Sequence, residues 1–339
     1  MKRPTIAEIA QRAGVSIGAV SYALNGRPGV SAQTRQRILD IANEIGWRPS
    51  VAARGLSGSR SHAVGLILAR PARTLGVEPF FMRFIAGLEG ELSTQRVALL
   101  LQVVEDHRAA IEAIRLCWAE RRIDGLVVTD LWTQDARIPV LGELNVPAVL
   151  VGRPRAGSDL PAVWSDDAAA VVSVVDYLVA LGHRRIARVA GLGTLDHTQV
   201  RIASFRKAVR GHGLGEPDVV ETDYSWEEGA QATRVLLSRR HRPTAITFDN
   251  DLMAVAALNV AREMGIAVPH ELSIVAGDDS QLCALVHPAI TALSRDIPGY
   301  AVRTARVLLD IIDGRPAQSY QDATAHLVVR ASTAPAPPA

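Results

Sequence analysis

The sequence predicts an all-α helix-turn-helix head followed by an α/β body of two doubly wound lobes. Three observations carry that expectation. Residues 5–25, TIAEIAQRAGVSIGAVSYALN, spell two short amphipathic helices broken at Gly14. The charge is polarised along the chain: residues 1–60 hold nine basic and three acidic side chains, a net of +6 against a total of +2, which leaves −4 on residues 61–339. From residue 63 onward, short apolar runs alternate with amphipathic stretches long enough for crossover helices, the pattern of a parallel sheet covered on both faces.

The head can be followed residue by residue. Thr5 and Glu8 form a capping box, in which hydroxyl and carboxylate each take a backbone N–H, so the first helix begins near Ile6. Gly14 permits a tight turn, and Ser16 caps a second helix over about 17–25. Ile6, Ile9, Ala10, Val15, Val20 and Leu24 supply the shared apolar face. A second helix placed in this way suits a DNA major groove, with its N-terminal residues toward the base edges. Any amphipathic helical hairpin shares the pattern, but a basic head on an acidic body is the footprint of phosphate-backbone binding. Ser31 caps a third helix, in which Ile38, Leu39, Ile41, Ala42 and Ile45 repeat at helical spacing until Gly46 ends it. In WRPSVAARGLSGSRS, Pro49 then starts a short segment holding Ala52 to Leu56 ahead of a Gly/Ser-rich run. That segment is too short to stay helical unless something holds it.

In the body, apolar runs at 63–69, 97–103, 125–129, 148–152, 185–191, 244–248 and 273–277 suit buried parallel strands. Amphipathic stretches at 80–95, 107–121, 166–181, 198–211, 227–240, 250–264 and 298–313 suit the helices between them. A chain of 339 residues with 48% hydrophobic content has material for a small head and two such lobes. Ligands in doubly wound folds sit at the carboxyl ends of the strands, so the cleft between lobes is the expected pocket.

Several function classes fall away. The start MKRPTIAEIA lacks an apolar run with a cleavage site, and no stretch is apolar enough to span a bilayer, so a cytoplasmic location and no membrane partner are expected. Cys117 and Cys283 are too isolated for a disulfide framework or a zinc site, and His183, His197, His241 and His287 show no metal-ligand spacing. No metal and no cofactor are therefore expected. A carboxylate-dependent enzyme draws its support from Asp278–Asp279 and from Asp249 and Asp251, yet the chain has no GxSxG elbow, Walker A loop, HExxH or complete GxGxxG, so no catalytic residue is assigned. A sugar-binding protein without a regulatory role would have no use for the basic head.

The head segment TIAEIAQRAGVSIGAVSYALNGRPGVSAQTRQRILDIANEIGWRPSVAARGL resembles the lactose-repressor (LacI) family of bacterial transcription regulators. YLVALGHRRIARVAG (177–191), PTAITFDNDLMAVAAL (243–258) and VPHELSIVAGDDS (268–280) extend the likeness over nearly the whole chain. The resemblance implies a DNA-binding domain over 1–47, a hinge helix and linker over 48–60, and an effector-binding and dimerisation domain over 61–330. It implies lobes of the periplasmic-binding-protein-like type, an N-lobe of about 61–162 and 292–325 and a C-lobe of about 163–291 and 326–330. The tail 331–339, ending APAPPA, is expected to be disordered.

By the same resemblance Ile17, Gly18 and Tyr22 take base-reading positions, and Thr5, Ser16, Ser21 and Asn25 are further DNA contacts. In the hinge it implies Ala53, Arg54 and Leu56, with Leu56 as the apolar wedge that enters the minor groove and kinks the duplex. For the effector it implies Arg201, Asp278 as acceptor for ligand hydroxyls, Asn250 as another polar contact, Tyr224 as a ring stacked on the ligand, and Phe80 and Arg295 as further pocket positions. Asp251 is read as the cap of the following helix. Three departures stand out: Glu78 where the family often has Asn before Pro-Phe-Phe, Gly152 where many members are acidic, and Ala276–Gly277 in place of a Gly-aromatic pair. They predict fewer acidic groups in the N-lobe and admit an acidic sugar or a phosphorylated ligand beside the default neutral sugar. The implied protein is a ligand-responsive regulator, most simply a repressor that binds double-stranded, pseudo-palindromic operator DNA as a homodimer and changes operator affinity with a sugar-like effector.

Overall fold

Helices α1 (Ile6–Ala13), α2 (Ile17–Leu24) and α3 (Ala32–Glu44) make up the described part of the head. Thr5, Ser16 and Ser31 each accept the backbone N–H three residues on, which is why the helices start where they do. Gly14 ends α1 with φ 63°, a left-handed conformation that glycine adopts without steric cost. The carboxylate half of the capping box is not made: Glu8 reaches one turn forward instead, to Arg12 at 3.0 Å. Ile9, Val20 and Ile38 are fully buried between the three helices, and Trp47 closes the cluster.

This computed structural model describes residues 4–47, 60–70 and 78–338, and the chain divides into two units, Met1–Ser61 and His62–Ala339. The hinge residues Ala53, Arg54 and Leu56 lie outside the described residues.

The second unit contains two six-stranded sheets. The first is built from β1 (Ala63–Ala69), β2 (Ala98–Val104), β3 (Gly125–Val128), β4 (Ala148–Val151), β5 (Ala162–Trp164) and β11 (Tyr320–Gln321), in the order β11-β5-β4-β3-β1-β2 and parallel throughout. The second is built from β6 (Ile186–Ala190), β7 (Val219–Glu221), β8 (Ala245–Phe248), β9 (Ser273–Ala276), β10 (Thr291–Ser294) and β12 (His326–Val328). Its order is β12-β10-β9-β8-β6-β7, with β12 alone antiparallel. Helices α4 (Pro79–Thr94), α5 (His107–Ala119) and α6 (Arg137–Leu144) belong to the first lobe, joined by α12 (Ile297–Ile312), which packs on α4. Helices α7 (Asp167–Ala180), α8 (Asp196–Gly211), α9 (Trp226–Leu237), α10 (Asp251–Glu263) and α11 (Gln281–Leu285) belong to the second. In each sheet the order of the strands reverses at one point, between β1 and β3 and between β6 and β8. The loops after those strands splay apart and leave a crevice.

All seven apolar runs form strands and all seven amphipathic stretches form helices, within a few residues of the expected bounds. The lobe boundary and the tail differ from expectation. Thr291–Ser294 pairs with β9 in the second sheet, so the chain crosses after Ser294 rather than at 292. Residues 331–338 are packed rather than disordered: Ser332 is fully buried, its carbonyl accepts from the Ile274 N–H, and its hydroxyl donates to the Ile274 carbonyl at 2.6 Å. Buried His183 adds a contact to the Ala334 carbonyl at 3.1 Å. Backbone groups at the amino ends of β9 and β10 need partners, and the tail supplies them. Cys117 and Cys283 are buried free thiols. Among the described residues no cluster suits a metal ion, and no helix is long and apolar enough to cross a membrane.

Candidate functional site

On the head, α2 exposes Ile17 (58%) and Tyr22 (45%), an apolar pair that the head itself leaves uncovered. The polar candidates beside them hold the helices together. Thr5 and Ser16 are caps, and Asn25 donates to the Ser21 carbonyl at 2.9 Å. Gly18 has room for a side-chain carbon, since an added Cβ would meet only Ser16 Oγ, at an ordinary contact distance of 3.8 Å.

In the second unit, the six residues predicted to hold a ligand, Phe80, Arg201, Tyr224, Asn250, Asp278 and Arg295, line one cavity between the lobes. Chain topology explains the convergence. Asn250, Asp278 and Arg295 directly follow β8, β9 and β10, Arg201 lies on the helix after β6, and Phe80 opens α4. Gly277 is required at the end of β9, where a Cβ would lie 2.4 Å from the Asp249 carbonyl oxygen.

Sequence reasoning missed several members of the same wall: Arg70, Thr129, Asp130, Asp167 and His197. Arg70 and Asp130 stand directly after β1 and β3, so their places at strand ends were a usable signal. Arg70 donates twice to Asp130, at 2.7 and 3.2 Å, and lies 4.0 Å from Glu78. The expectation of few acidic groups in the N-lobe is therefore corrected, because Glu78 and Asp130 both line the cavity and compete for one guanidinium.

On the other side, Arg201 places Nε and Nη2 on Asp167 Oδ1 at 3.1 and 2.8 Å and comes within 4.0 Å of Asp249. Asp249 is in turn gripped by buried Arg188 and by the Gly191 N–H. Arg295 lies 3.7 Å from Asp167 and 3.4 Å from Asp278. The charges alternate from the second sheet's core to the chain crossing at Arg295. Among the described residues, each arginine of the cavity wall faces a carboxylate.

Two predicted roles change. Asn250, not Asp251, caps α10: its Oδ1 accepts the Met253 N–H at 2.9 Å while its Nδ2 donates to the Tyr224 carbonyl at 3.0 Å. That second bond holds Tyr224 in the left-handed region at φ 71°. The Tyr224 ring is itself covered, with Arg70 from the other lobe 4.8 Å over its face and Gly191 close enough that any side chain there would collide with the ring. A ligand ring cannot stack on Tyr224 without displacing Arg70.

Burial and charge set the protonation states. Burial pushes the Glu78 carboxyl up to about 7 despite Arg70. Burial also opposes the Asp130 charge, but Arg70 overrides it and holds that carboxyl below the usual range. Asp167 is lowered against burial by Arg201 and Arg295. Burial with Arg201 beside it drives His197 down to about 4, so its ring is neutral at pH 7. Among the described residues, five polar atoms of the cavity wall have no hydrogen bond: Arg70 Nη1, Glu78 Oε2, Thr129 Oγ1, Asp278 Oδ1 and Arg295 Nε. They come from both lobes and mix donors with acceptors. The lobes also touch at the rim, where Arg155 reaches Asp196 at 3.0 Å and Arg83 donates to the Asp279 carbonyl at 3.0 Å.

Residues 5–50 match the bacterial regulatory proteins, lacI family, and residues 175–333 match the periplasmic binding protein-like domain. The chain is 30% identical to the HTH-type transcriptional regulator CelR of Thermobifida fusca over 338 residues, covering 98% of each. It is 32% identical to the HTH-type transcriptional regulator MalR of Streptomyces coelicolor over 343 residues, covering 98% of this chain and 97% of that one. Among solved structures it is similar to the transcriptional regulator CelR–cellobiose complex, with TM-score 0.74 and 29% identity over 97% of this chain and all of the other. It is also similar to the lac repressor dimer bound to operator and an anti-inducer, with TM-score 0.84 and 26% identity over 98% of this chain and all of that chain.

Proposed function

Because the chain belongs to the lacI family of bacterial regulatory proteins, we propose that it is a transcriptional repressor whose operator affinity changes when a neutral sugar fills the cleft between its lobes. The observation that carries the reading is a cavity wall in which five donors and acceptors, drawn from both lobes, make no hydrogen bond. Hydroxyl groups donate and accept at once, so a polyol satisfies a mixed wall that a purely anionic ligand does not. An acidic sugar is disfavoured, since Arg201 and Arg295 already face Asp167 and Asp278. Cellobiose is the ligand of the similar CelR structure and serves as a first probe.

The head reads the operator through α2, with the hinge residues Ala53, Arg54 and Leu56 as its minor-groove complement. A pseudo-palindromic site calls for two heads, and the second unit supports a homodimer. Strand β2 is a sheet edge carrying exposed Leu101 and Val103, and Leu285 on α11 is 79% exposed. Such apolar surface on an unpaired edge suits a second copy. A DNA-binding regulator of this kind works in the cytoplasm. Its relatives are transcriptional regulators, not enzymes.

Gel-shift selection against fragments of the source genome, run with and without cellobiose, maltose and glucose, tests the reading. A retained fragment with inverted half-sites and a sugar-dependent change in retention is expected. Retention of no fragment, or retention that no sugar alters, removes the proposal.

A further inference from the structure

Glu78 is only 6% exposed and its Oε2 makes no hydrogen bond. The polar and charged groups that face it come from four strand ends. From its own lobe, Arg70 after β1 lies 4.0 Å away but is already tied by two bonds to Asp130 after β3. From the opposite lobe come Asp278 after β9, which opposes the Glu78 charge, and the neutral Asn250 amide after β8, whose hydrogen bond favours it but is outweighed by burial. Asp278 Oδ1 has no hydrogen bond either, with Arg295 at 3.4 Å. An ionised Glu78 would share one cation with Asp130 and face a second carboxylate across the cleft. Burial of that kind favours the neutral form.

We infer that Glu78 enters the occupied cleft as a neutral carboxylic acid that donates to an oxygen of a neutral, polyhydroxylated ligand, so that ligand and proton are taken up together. This rests on the reading of the cleft as a sugar site. Even without ligand, burial holds the Glu78 carboxyl up at about 7. A sugar displaces the remaining water around it and brings no charge to offset the loss, so the preference for the proton deepens. With Glu78 neutral, Arg70 Nη1 is also released toward a ligand oxygen. The chemistry of the ligand sets the sign. A polyol binds more weakly as pH rises past neutrality, by at most about tenfold per pH unit. A ligand with an ammonium group would expel the proton and bind more tightly instead.

Two measurements on the full chain test this. The first needs no ligand: infrared spectra of the protonated carboxyl C=O stretch, followed from about pH 5 to 9, should show an acid titrating near neutrality that is missing from Glu78→Gln. The second is calorimetry with cellobiose, maltose and glucose in buffers of different ionisation enthalpy. Proton uptake on binding is expected for the wild type, and an affinity that does not vary with pH is expected for Glu78→Gln. Identical infrared titrations, or a pH dependence that survives in Glu78→Gln, overturn the proton linkage. If no sugar binds while the infrared difference is present, the sugar reading of the cleft is what fails, and the ligand half of this inference goes with it.

Discussion

At Gly18 the fold gives no reason for a glycine. Helix α2 has room for a Cβ there, and glycine in a helix costs about 0.5–1 kcal/mol relative to alanine. A position that is cheap to fill and yet empty suits a backbone that must approach something outside the head. Gly18→Ala is therefore expected to raise the melting temperature of the head while weakening operator binding. Thermal melts and gel shifts on one purified variant decide it, and a mutant that melts higher and binds equally well leaves Gly18 no part in recognition. Arg201 carries a different prediction. Its loss leaves Asp167 beside Arg295 and Asp249 beside Arg188, so Arg201→Ala should fold. Each charge-assisted hydrogen bond to a ligand is worth about 1.5–3 kcal/mol. Effector affinity should therefore drop by roughly ten- to a hundredfold, with ligand-free operator binding retained, as calorimetry and gel shift would report.

Among the elements, α4 and α8 bring two oppositely perturbed groups to one cavity. Glu78 rises from 4.5 to about 7, so between those values the folded chain holds a proton that the unfolded chain lacks, and stability falls as pH rises. His197 drops from 6.5 to about 4, so there the unfolded chain holds the extra proton and stability falls as pH falls. Over the shared window the two slopes, each about 1.4 kcal/mol per pH unit, oppose each other. Urea unfolding between about pH 4.5 and 6.5 should show Glu78→Gln losing stability on acidification faster than the wild type, and His197→Gln doing the reverse. Equal slopes in all three proteins would place both groups in water-like surroundings. The carboxyl-terminal segment is a second structural element with a measurable weight. Removing residues 331–339 deletes the Ser332 and Ala334 bonds to β9 and His183, and should cost at least about 2 kcal/mol by the same unfolding assay.

For the whole molecule, charge and symmetry govern DNA binding. A dimer that neutralises roughly 6 to 10 phosphates should give log K against log[salt] a slope of about −5 to −9. A slope near zero would remove the +6 head as the DNA contact. Leu285→Glu places a charge on the exposed apolar surface and should shift the sedimentation pattern toward monomer. Operator affinity should fall with it, because two linked half-sites bind far more tightly than one. A variant that stays dimeric would locate the interface elsewhere.

The sequence by itself determined the head and the alternation of the body. Caps at Thr5, Ser16 and Ser31, the turn at Gly14 and apolar runs of period suited to helix or buried strand are local signals, and local backbone chemistry answers them. The family resemblance implied Arg201, Asn250, Asp278 and Arg295 for one site, and they line one cavity because residues after the strands or on the helix that follows gather where the strand order reverses. Short strands such as β5, β7 and β10 to β12 were not legible, since segments of two to four residues are ordered by the neighbours they pair with. The pairing of charges was equally out of reach. Which carboxylate holds Arg70, which atoms are left without hydrogen bonds, and that Arg70 covers Tyr224 all depend on side chains far apart in the sequence meeting at the cleft. The displaced titration of Glu78 belongs to the same class: Glu78 is legible as a departure, but its proton is held by a burial that only the assembled tertiary structure creates.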